Sequence, residues 1–297
     1  MLRILTKSFN QIAQKPLMVF FIYAFGFVLA MLVARPFYVT FLNEANTSVA
    51  LDKLIADFDF MIFIDFFHQS QKAFQPFLPL VFTLGIVYLL LNTFFAGGIL
   101  DAPEQEKLKF PRFFEASARQ FGRFALLLVF LFIFLMVLVS LAGMFFFIFA
   151  AIAEGGSEKD YILWMIPPVF ILVYFVSFVV IIGDYGRVML FKSPTLTPYG
   201  AFWKAFSYIF KWPSAIALFW MIIVLGIILF VVYLGIDSLI GMNSTLTIFV
   251  MFVVQQVFVF ARTFLKISTQ VAAKNYFEAR PFELEKVILV TETEEEN

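Results

Sequence analysis

The residues best equipped for chemistry lie in DFDFMIFIDFFH, from Asp57 to His68, the only histidine of the chain. Helical spacing places Asp57, Asp65, His68 and Lys72 on one face and Asp59 nearly opposite. Two carboxylates and an imidazole on one face could hold a divalent metal or serve as an acid–base pair. Zinc sites, however, use three or four such ligands, each backed by further hydrogen-bond partners. The plainer reading is an amphipathic helix lying on a membrane surface with its polar face in water. That reading is preferred, so no metal and no cofactor are expected.

A second polar feature is Gln255-Gln256, inside the apolar run VMFVVQQVFVF. Two adjacent amides at membrane depth could line a path for a solute. They could equally make a hydrogen bond between helices, worth roughly 1 kcal/mol, and this is the expected role. The chain has no Cys, which excludes disulfides, thiolate zinc sites, iron–sulfur clusters and Cys-ligated haem. Its sequence holds no Walker loop, dinucleotide fingerprint, nucleophile elbow or HExxH. No catalytic residue is therefore nominated.

The elements that must carry these residues are written in the composition. Apolar residues make up 62% of the 297, and charged residues only 14%, too few to solvate a soluble protein of this size. A helix needs about 20 apolar residues to cross a bilayer. Six stretches qualify, at about 17–34, 77–100, 124–153, 161–183, 214–236 and 245–266. Unbroken apolar runs fit helices rather than the alternating strands of a barrel. The expected fold is all-α: one polytopic bundle of about six spans, with an outer loop at 36–75 and a solvated acidic tail at 281–297. The third stretch is longer than a span needs and must tilt or project from the bilayer. Pro167-Pro168 would kink span 4 or end its first turn. Gly97-Gly98 would permit close helix approach or end span 2, and Gly183 and Gly186 around Asp184 would form the exit turn of span 4.

Basic residues set the orientation. Of 21, only Arg35, Lys53, Lys72 and Lys159 fall on one side; the other seventeen share the opposite side with both termini. The positive-inside rule makes that side cytoplasmic. Three amphipathic segments lead into spans from there, in MLRILTKSFNQIAQKP, PRFFEASARQFGRF and GAFWKAFSYIFKWP. Their spacing predicts interfacial helices, basic toward headgroups and aromatic toward acyl chains. Arg3, Lys7, Arg112, Arg119, Arg123, Lys204 and Lys211, continued by Arg262 and Lys266, are the expected contacts to anionic lipid. In the third segment Tyr208 joins Lys204 and Lys211 on the polar side. The chain thus reads as three parallel units, each one interfacial helix plus one hairpin. Formal net charge is zero and the bases flank spans, which points to membrane lipids and other membrane subunits as partners and away from nucleic acid.

The segments FFAGGIL followed by FFEASARQFGRFALLL, and DYGRVML followed by AFWKAFSYIFKWP, resemble a group of bacterial six-span membrane proteins. The group includes the membrane domain attached to some glycerophosphodiester phosphodiesterases. The resemblance implies a bacterial inner membrane. It brings no catalytic residue, because the soluble phosphodiesterase domain has no counterpart in this chain. The sequence therefore suggests a non-enzymatic accessory or membrane-organising protein, with a small permease or lipid-handling transporter as the alternative.

Overall fold

The computed structural model describes residues 1–45, 60–240 and 244–282, and these residues are helical with short connections. The helices are α1 (Leu2–Ala13), α2 (Pro16–Ala45), α3 (Phe60–Gln69), α4 (Gln71–Phe74), α5 (Phe77–Asp101), α6 (Phe110–Ala153), α7 (Glu158–Lys192), α8 (Pro198–Lys211), α9 (Ser214–Ile240) and α10 (Thr245–Ala279). Six of them are long and apolar enough to cross a membrane. The protein is an all-α polytopic helical bundle.

Prolines punctuate it. Pro16 separates α1 from α2, Pro213 separates α8 from α9, and Pro111 occupies the first turn of α6, where a missing N–H costs nothing. Serines start α7 and α10: Ser157 pairs with Asp160, and Ser244 with Thr247, in reciprocal caps. Pro167 and Pro168 lie inside α7, which continues through them.

The chain forms two compact units. One comprises 17–92, including most of α2 and the first turns of α5. Its aromatic cluster sets Phe37 5.4 Å from Phe74 and 5.6 Å from Phe77, and Phe41 5.6 Å from Phe66. The other comprises 1–16 and everything from Thr93 onward.

In that second unit the helices divide along their length. Buried residues of α6 cluster between Phe113 and Leu131, those of α7 from Val179 to Leu190, those of α9 from Ala215 to Ile222, and those of α10 from Ile267 to Phe277. Beyond those limits few side chains are buried within the chain. The same ends pack against α1 and α8 through one cluster that includes Leu5, Leu127, Ile182, Ala205, Leu218 and Ala272. We call this end the collar. Since it holds the basic segments, it is also the basic end.

Two expectations change here. The segment PRFFEASARQFGRF is not a separate interfacial helix; α6 runs unbroken for 44 residues, about 66 Å. Nothing between Pro111 and Ala153 interrupts a helix strongly enough to stop it. Gly183 and Gly186 do not form a turn either. Both are helical within α7, which ends only at Lys192, and both give room to α6. A Cβ on Gly183 would lie 3.0 Å from Leu131, and one on Gly186 2.9 Å from Leu127. Gly97 and Gly98 serve the close approach considered for them: added Cβ atoms would lie 2.6 Å from the Ala116 carbonyl oxygen and 2.5 Å from the Phe113 ring.

Candidate functional site

The densest polar chemistry lies inside the collar. It begins where α5 runs out. A helix end leaves carbonyls without partners and carries partial negative charge. Lys274, only 2% exposed, reaches from α10 to donate to the Leu100 carbonyl and to Glu104 Oε1, both at 2.6 Å. Lys15, at the end of α1, donates to the carbonyls of Ala102 and Gln105. Burial lowers the pKa of its ammonium, and the nearby Asp101 carboxylate opposes that shift.

Carboxylates complete the set. Asp101 is buried and receives Arg112 through both oxygens, at 2.9 and 3.2 Å, and the Gln105 amide at 2.7 Å. Glu104 is shared between Lys274 and, at 3.3 Å, Lys192 of α7, which also meets Glu278 of α10 at 2.7 Å. One ion network therefore ties the basic ends of α5, α7 and α10. Lys274 also lies 5.0 Å from the centroid of the Phe191 ring.

Arg123 of α6 does for α7 what the lysines do for α5. Its guanidinium donates to the carbonyls of Leu190, Ser193 and Leu196 at 2.7–2.9 Å. A planar fork suits three diverging acceptors better than an ammonium would. Elsewhere Asn275 donates to Ser8 and Gln11 of α1, both at 2.8 Å. Arg280 donates to Ser214 and Tyr276 and stacks on Trp212. Asp184 and Arg187 pair at 3.1 Å along α7.

The residues nominated from sequence divide differently. Asp57 lies outside the described residues. Asp65 and His68 are exposed on α3. Gln255 is exposed near the middle of the 245–266 stretch, while Gln256 is half-buried. Of the basic set, Arg3 and Lys7 are exposed on α1, Arg119 on α6, and Arg262 and Lys266 on α10. Arg112 is half-exposed and paired with Asp101. Lys204 is half-buried, and Lys211 lies 5.3 Å from the centroid of the Phe282 ring. Arg123 is turned onto carbonyls. The acidic residues of 283–297 lie outside the described residues.

The apolar faces of two amphipathic segments also have a different partner from the expected one. Leu5, Ser8 and Ile12 of α1 are buried in the protein, as are Ala201, Phe202, Ala205 and Ile209 of α8. Tyr208, expected on a polar face, is buried too. It lies 5.1 Å from Tyr185 and 5.4 Å from Phe277, ring to ring, and donates to the Arg280 carbonyl. Burial raises its pKa.

Sequence reading missed Lys15, Asp101, Glu104, Lys192, Lys274 and Glu278 as a group. Their partners lie as many as 174 residues away along the chain. The one available signal was Lys274 itself, a cation set in VAAKNYF among residues that all prove buried. Comparison with family models, curated proteins and solved structures finds no match for the chain.

Proposed function

We propose that this protein is a non-enzymatic membrane component: an accessory or scaffold subunit, or a membrane-organising factor, with its collar and both termini in the cytoplasm. The observation that carries this reading is how the cations turned into the collar are used. The buried Lys15 and Lys274 and the half-buried Arg123 all end on backbone carbonyls at the ends of spanning helices. These groups hold α1, α5, α6, α7 and α10 together, a building role rather than a chemical one. At the same time only 6–28% of the residues in the most apolar window of each spanning helix are buried inside the chain. Broad apolar flanks on a fastened collar suit a protein that works by contact with lipid and with other spanning helices.

Affinity isolation of the full chain from its native membrane tests the reading. A membrane protein or tightly held phospholipid should co-purify in constant proportion. A chain that runs alone, carrying neither, contradicts it. Transport of lipid or solute by the purified chain in liposomes, abolished by replacing Gln255 and Gln256 with Leu, would put the transporter reading in its place.

A further inference from the structure

The excess length of α6 has a structural counterpart in α8. This helix does not span; it crosses α6 and α7. Tyr199 lies 5.8 Å from Phe130 of α6, ring to ring, and Phe202 and Phe206 lie 5.4 and 6.2 Å from Phe134. Phe206 and Phe210 each lie 5.8 Å from Phe178 of α7. The contacts thus pass from one helix to the other along α8.

Their height is informative. Phe134 stands about 19 residues before the end of α6, and Phe178 about 20 after the start of α7. In an antiparallel pair such positions share a level, about 30 Å from the turn that joins the helices. That distance is the thickness of a bilayer's hydrocarbon. It is also where burial becomes sparse: Leu131 and Val179 are the nearest buried residues on the collar side, and beyond this level only Ala142, Ala153 and Pro168 are buried on the two helices.

At this level α8 is apolar on two sides. One side is packed into the collar. The other exposes Tyr199, Trp203 and Phe210, with Phe206 half-buried between them. The four rings form a chain, at 6.3, 5.8 and 4.9 Å. Lys204 and Lys211, seven residues apart, share a flank of the helix. Trp and Tyr favour the membrane–water interface, where a ring can meet acyl chains while its polar edge meets headgroups, and lysine there reaches for phosphate. The far ends of the same hairpin expose Tyr161 and Trp164, the matching aromatic belt.

We propose that the Tyr199–Trp203–Phe206–Phe210 ridge is a phospholipid contact that seats α8 in one leaflet and fixes the depth of the collar. The hydrocarbon boundary then lies near Phe134 and Phe178, the exposed Val129, Phe132, Ile133 and Val180 sit in the interfacial zone beside it, and the parts of α6 and α7 nearer the collar stand outside it. The third apolar stretch is long because its first part is collar, not span. The proposal rests on the spanning helices and is independent of the accessory role.

Depth-dependent fluorescence quenching tests it. The full chain, with Trp164, Trp212 and Trp220 changed to Phe, keeps Trp203 as its sole tryptophan. It is reconstituted in phosphatidylcholine–phosphatidylglycerol vesicles containing lipid brominated near the glycerol or near the terminal methyl. The proposal expects severalfold stronger quenching by the shallow bromines. Equal quenching by both, none by either, or stronger quenching by the deep bromines overturns it. Should the triple change impair folding, Phe210→Cys in the otherwise unaltered chain, carrying an environment-sensitive fluorophore, gives the same readout with the same outcomes.

Discussion

Lys274 and Lys192 touch the same carboxylate, yet their surroundings assign them different weights. Lys274 is almost fully buried and also closes the Leu100 carbonyl; the Lys192 side chain is 32% exposed. Removing a charged donor from a buried carbonyl costs about 2 kcal/mol, whereas a solvated ion pair contributes about 0–1 kcal/mol. Lys274→Met should therefore lower thermal stability in detergent clearly, and Lys192→Met hardly at all. Equal losses would show that the network does not close α5 as described. Arg123 offers a parallel comparison. Arg123→Lys loses the fork over Leu190, Ser193 and Leu196 and should destabilise by about 1–3 kcal/mol. Arg119→Lys, on an exposed part of α6, should leave the melting temperature unchanged.

Helices meet in the collar through glycines, and their substitution separates contact from mere composition. The atoms nearest a Cβ on Gly97 belong to the backbone of Ala116 and Ser117, which cannot rotate away. Gly97→Ala should force α5 and α6 apart at a cost of about 1–3 kcal/mol. Gly143, equally helical, has nothing within 4 Å, so Gly143→Ala should be neutral or gain up to about 1 kcal/mol from helix propensity. Thermal unfolding of both variants measures the difference, and similar losses would contradict the packing. These glycines also mark how far the sequence could be read. Apolar length is a local signal, so the six spans were legible. Gly-Asp-Tyr-Gly in α7 looks like a turn, because local composition favours one. Packing against Leu127 and Leu131 overrides it, and no local pattern reveals that contact. The collar was hidden for the same reason: Asp101, Glu104 and Lys274 look like ordinary charges beside a membrane until the fold brings them together.

Within the unit formed by 1–16 and 93 onward, the apolar ends of α6, α7, α9 and α10 project from a collar that holds much of the unit's buried chemistry. The first and last described helices meet there, through Asn275 with Ser8 and Gln11, as an even number of spans requires. The turn between α6 and α7, at Ser157, belongs to the opposite end. The central proposal is that a bilayer lies between these two ends, with the collar on the cytoplasmic side as the positive-inside rule expects. The chain contains no Cys, so single cysteines can report on it. Asn10 is exposed on α1 in the collar, and Ser157 is exposed at the far turn. With a membrane-impermeant maleimide on intact cells, the account predicts that Ser157→Cys is labelled at once and Asn10→Cys only after permeabilisation. Labelling of Asn10→Cys in intact cells, or protection of Ser157→Cys until permeabilisation, would contradict it.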